Sequence, residues 1–151
     1  MTARVQTLDG EFADISFLDG TGSDMMSIFE MPDLVLLAVN NDSLWWAPNV
    51  TISTAGGFIV RRTYWVLAKW FCSPAQTLGD LIFQRVAVNP GWANALNAPP
   101  RLSGMSLRQF SYTAPTPDGS GDLHVVDQKI WGCSSTASCV DCLVPAGAAA
   151  P

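Results

Sequence analysis

The sequence has no apolar run near the length of about eighteen residues that a membrane-crossing helix requires, and its opening stretch MTARVQTLDGEF lacks the apolar core of a secretory signal. Both absences point to a soluble, intracellular, cytoplasmic protein with no membrane partner. Basic residues are scarce: eight Lys and Arg stand against thirteen Asp and Glu, the net charge is -5, and no basic cluster exceeds Arg61-Arg62. A nucleic-acid binder needs a cationic footprint to displace counterions from phosphates, so no nucleic-acid partner is expected. Histidine is nearly missing, with His124 the only one, and no Walker or dinucleotide fingerprint is present. No nucleophile-elbow motif offers His124 a serine to activate.

The four cysteines are Cys72 and the group Cys133, Cys139 and Cys142. Their C-x5-C-x2-C spacing offers thiolates, but His124 lies outside the group and the surrounding GCSSTASCVDCLVPAGAAAP is rich in small residues. The simpler reading is reduced thiols in a disordered Cys/Ala/Pro tail over 132–151, with no metal and no cofactor.

What the sequence does have is apolar surface: 48% of its residues are apolar and only 14% are charged. A chain of 151 residues makes one domain, here assigned to 1–131, and this excess must be hidden in a core or against a second copy. Turn signals cut the domain into extended pieces. ARVQTL and FADISFL flank Asp9-Gly10 and read as a hairpin, because Gly accepts positive φ without steric cost. Ala13, Ile15, Phe17 and Asp19 share one parity, which turns the Asp19 carboxylate towards the apolar side of its strand.

MPDLVLLAV, over 31–39, fits either a short helix or a buried strand. NVTIST, the turn Ala55-Gly56-Gly57 and FIVRRTYWVLAKWF read as a longer hairpin whose second arm carries apolar residues on both parities. LIFQRVAV (81–88) and LHVVDQKI (123–130) are further strands, and RLSGMSL runs into a short helix after Gly104. Many short strands with glycine turns and little helix make an all-β fold.

Three pieces of this layout, in this order, resemble the retropepsin-like aspartic proteases. They are Phe17-Leu18-Asp19 with Thr21-Gly22-Ser23 after an apolar strand, the glycine-tipped hairpin at Thr54-Ala55-Gly56-Gly57, and Arg101-Leu102-Ser103-Gly104 leading into Met105-Ser106-Leu107. The resemblance spans roughly residues 10 to 130. It implies a small closed β-barrel that hydrolyses peptide bonds as a homodimer, each subunit contributing one aspartate. Like charges so close cannot both ionise, so the pair shares a proton; one carboxylate activates water while the other donates to the peptide carbonyl. The catalytic residues it implies are Asp19, Thr21 and Gly22. Ala55, Gly56 and Gly57 would cover an extended peptide or protein substrate as a flap.

The sequence departs from the family pattern at Gly20. Counted from the strand, Asp19 occupies the catalytic position and Gly20 is an insertion; counted from Thr21-Gly22-Ser23, Gly20 itself occupies that position. One extra residue displaces a strand by about 3.3 Å unless a bulge absorbs it. The expectation is therefore an impaired protease, or a noncatalytic domain of the same fold that dimerises or binds peptides. Ser103 also departs, standing where the family has an apolar residue.

Overall fold

A computed structural model of the chain describes residues 1–19, 23–54, 56–73, 76–93, 98–105, 112–115, 123–126 and 142–144. The segment Thr2–Thr7 forms β1 and Phe12–Ser16 forms β2, paired antiparallel across the turn at Gly10, whose φ is +98°. Period-2 alternation decides the faces: Ala3, Val5 and Thr7 are buried while Arg4 is exposed. On the outer face Arg4 grips Asp14 with two hydrogen bonds of 2.8 and 2.9 Å. The Arg4 hydrogen bonds hold the Asp14 carboxyl below its ordinary value.

After the Asp19 loop, Met26–Met31 forms β3, and the chain then turns into a single helical turn, α1, at Asp33–Leu36. The stretch that the sequence left open between helix and strand is thus divided, its first residue ending the strand and Asp33–Leu36 forming the helical turn. Trp46–Thr54 is β4, Gly57–Ser73 is β5 and Gln76–Trp92 is β6. These last two are 17 residues each, and β6 is much longer than the strand expected at 81–88.

The sheet order is β2-β1-β5-β6-β3, with β4 also on β5. One edge of β5 serves two partners in succession, β4 against residues 57–64 and β1 against residues 66–71. The other edge pairs with β6, and β6 carries β3 in parallel. Tyr64, Val66, Ala68 and Trp70 of β5 point into the core with Val5, Ile15, Phe17, Ile28 and Val86. Phe17 meets Trp70 edge to face at 5.5 Å, a contact that adds about 1 kcal/mol beyond the area it buries. On the opposite face Trp65 stacks on Phe83 at 4.6 Å, a pair that leaves Phe83 largely exposed, so the expectation that both parities of β5 are covered is not met.

A second sheet of three strands contains β7 (Tyr112–Pro115), β8 (Leu123–Val126) and β9 (Cys142–Val144), all antiparallel. The Cys142–Val144 strand falls within the segment read as a tail; the rest of 132–151 lies outside the described residues, as do 106–111, where the short helix was expected. The described chain is mainly β. Its larger sheet is open, ending at β2 and β3, so the strand ladders alone do not make the closed barrel expected from the sequence. No helix among the described residues is long and apolar enough to cross a membrane.

Candidate functional site

Beyond the end of β2 the chain stays extended through Phe17 and Leu18, and here it meets a distant segment. Leu18 pairs with Leu102 in a parallel bridge. The Leu18 N–H donates to the Arg101 carbonyl at 2.9 Å, and the Ser103 N–H donates back to the Leu18 carbonyl at 2.9 Å. On its other side the same segment serves β3: the Ser27 N–H donates to the Leu102 carbonyl at 2.9 Å, while the Leu102 N–H donates to Ser27 Oγ at 3.0 Å. Residues 101–103 are therefore threaded between the strand leading to Asp19 and the strand leaving its loop.

That threading sets what surrounds Asp19. Ser103 is completely buried, and its hydroxyl lies 3.4 Å from Asp19 Oδ1 and 3.3 Å from the Gly104 carbonyl. Ser23, which closes the Thr-Gly-Ser element, instead donates to the Met25 carbonyl at 2.7 Å. Asp19 itself is half-buried. The parity argument placed its carboxylate on the apolar side, where an unpaired charge is costly, and the Ser103 hydroxyl meets it there.

An ion pair anchors the threaded segment. Asp33, 1% exposed, accepts Arg101 Nε on Oδ2 and Arg101 Nη2 on Oδ1, both at 2.8 Å. Its Oδ2 also accepts the Phe29 N–H at 2.8 Å, and the guanidinium lies 5.8 Å from the centre of the Phe29 ring. Such a buried two-pronged pair fixes direction as well as distance, and removing one partner costs about 3–5 kcal/mol because the other charge stays buried. Asp33 therefore joins α1, β3 and the strand of Arg101 in one contact.

The β4–β5 hairpin reaches out above this region. At its tip Thr54 Oγ1 accepts the Gly56 N–H at 3.2 Å and donates to the Gly57 carbonyl at 2.8 Å, and Gly57 takes φ +111°. At its base Thr63 Oγ1 donates to the Pro48 carbonyl at 2.8 Å, and Arg85 reaches the same carbonyl. The strand register shifts between Ala47 and Val50, so a bulge bends β4 there. Between the 50–54 arm of the hairpin, the 23–25 segment and Leu102 lies a cavity of about 460 Å³.

Phe58 and Val60 share the parity of Tyr64 and Val66, yet they are 81% and 60% exposed. They and their cross-strand partners Ser53 and Thr51 continue the core-facing side of the hairpin past the edge of the core.

Of the residues expected at the site, Asp19, Gly56 and Gly57 are described; Thr21, Gly22 and Ala55 lie outside the described residues. The structure brings Asp19 to the threaded segment but does not put it in the cavity wall. The sequence reading gave Asp33 no role, named Arg101 only as the start of the third motif, and treated Ser103 only as a departure. A buried-pair role for Asp33 had one available signal, an acid between Pro32 and an apolar run, which reads equally as a helix start. Neither the known protein-family models nor the curated protein sequences match this chain.

Proposed function

We propose that the chain is one half of a retropepsin-like aspartic protease, a homodimer that hydrolyses peptide bonds with Asp19 from each subunit. The observation that carries this reading is the threading of residues 101–103 between Leu18 and Ser27, which sets a buried hydroxyl against the Asp19 carboxylate. The same hydrogen bonds link β3 through 101–103 to the continuation of β2, which supports reading the fold as a small closed barrel.

In this reading two Asp19 carboxylates face each other across the dimer axis and hold one proton between them. The ionised member takes a proton from water as it attacks the peptide carbonyl, and the protonated member donates to the carbonyl oxygen. The family resemblance assigns Thr21 and Gly22 to the catalytic motif with Asp19. In this reading an extended peptide runs beneath the hairpin from the cavity beside its 50–54 arm towards Asp19, and the tip that carries Gly56 and Gly57 serves as the flap. No metal or cofactor takes part.

Gly20 favours a second reading, a noncatalytic domain of the same fold that dimerises or grips a peptide by strand addition. Catalytic groups must be held to about 0.5 Å, and an added residue next to Asp19 loosens that hold. Peptide-library cleavage across pH by the wild type and by Asp19→Asn tests the proposal. Cleavage present in the first and lost in the second supports it; equal cleavage by both overturns it.

A further inference from the structure

Ser23 and Ser103 both belong to segments beside Asp19, and the geometry separates them. Ser23 follows the Thr-Gly of the loop, but its hydroxyl is committed to the Met25 carbonyl at 2.7 Å. Ser103 comes from a strand more than eighty residues away in sequence, is fully buried, and directs its hydroxyl between Asp19 Oδ1 and the Gly104 carbonyl. Its backbone cannot drift, because its N–H is bonded to the Leu18 carbonyl one residue before Asp19. Two residues earlier, Arg101 is held by both oxygens of buried Asp33. The register of the strand is thus fixed at both ends of the tripeptide.

We propose that Ser103 is a positioning residue for Asp19, and that the Arg101–Asp33 pair sets the register which delivers its hydroxyl. A hydroxyl donor restricts the rotation of the carboxylate about its side-chain torsions. The chain thereby gains at Ser103 a constraint on Asp19 that does not pass through the loop containing Gly20. This assignment rests on Asp19 being the catalytic acid, and its test keeps the two ideas separable.

The test is a double-mutant cycle on the full chain, with wild type, Ser103→Ala, Asp19→Ala and the double variant unfolded in urea. The hydrogen bond predicts non-additivity: Ser103→Ala changes the unfolding constant about fivefold more with Asp19 present than with Asp19→Ala. Equal effects in both backgrounds overturn the proposal. A kinetic arm uses the wild type or the Gly20 deletion, whichever cleaves peptides. There Ser103→Ala lowers kcat about tenfold and leaves KM within about twofold, as expected when a group acts on the reacting acid and not on substrate binding. A change confined to KM, or no change, overturns the positioning role. Coupling without cleavage by any variant supports the contact and removes the protease reading on which its catalytic meaning depends.

Discussion

At Gly104 the backbone leaves no room for a side chain. Its φ is +63°, and a Cβ built there would stand 2.5 Å from both the Met25 carbonyl oxygen and the Met26 amide nitrogen, with the Met25 carbonyl carbon closer still. All three atoms are main chain, so none can rotate away. The glycine lets the segment after Ser103 press against the start of β3, which keeps Ser103 level with Asp19. Gly104→Ala is expected to lose about 3 kcal/mol or more of stability, from the clash and the left-handed backbone together. Urea unfolding checks this, and a loss below about 1 kcal/mol would mean that the close approach is not held in solution. The sequence made Gly104 visible as a punctuation mark but not as a contact, since the backbone it meets lies about eighty residues away. Ser103 was hidden for the same reason: read locally it is a polar residue in an apolar motif, and only the threading gives it Asp19 as a neighbour.

At the scale of elements, the β4–β5 hairpin is tightly held at one end and lightly at the other. Pro48, Thr63 and Arg85 tie its base, whereas its tip depends on the Thr54 hydroxyl and carries exposed Phe58 and Val60. Such uneven anchoring makes the tip the low-stability end. The amides of Gly56 and Gly57 are therefore expected to exchange at least about a hundredfold faster than those of residues 81–88, measured by hydrogen exchange. Comparable rates would identify a rigid turn and remove the flap.

Both hairpins were legible because their signals are local. Asp9-Gly10 and the Gly56-Gly57 pair mark the turns, but apolar residues on both parities of β5 hid which side faces the core, the side of Tyr64, Val66, Ala68 and Trp70. What escaped is long-range. The parallel pairing of β3 with β6 has no turn to announce it, and a three-residue strand such as 101–103 is too short for any periodicity. The ambiguity of MPDLVLLAV had a physical origin as well, since strand and helix meet within it at Pro32.

For the molecule as a whole, the described chain leaves large apolar side chains in water, among them Phe58, Val60 and Phe83. In the proposed protease each copy supplies one aspartate, so a second copy would complete the site. The protein is expected to sediment as a homodimer at micromolar concentration, and a clean monomer would remove the protease and most of the family resemblance with it. Under that proposal dimerisation matters to the chemistry, because a shared proton needs two carboxylates.

The proposal that Asp19 belongs to a working or recoverable proteolytic pair stands or falls with Gly20. Deleting Gly20 joins Asp19 directly to Thr21-Gly22-Ser23 and leaves every other residue in place, so one measurement bears on the claim most directly: peptide cleavage across pH by the wild type, the Gly20 deletion, and the deletion carrying Asp19→Asn. The expected result is weak or no cleavage by the wild type, a gain on deletion with an acidic optimum where one proton per pair is favoured, and loss of that gain with Asp19→Asn. No cleavage by any of the three would contradict the protease and leave the peptide-binding domain.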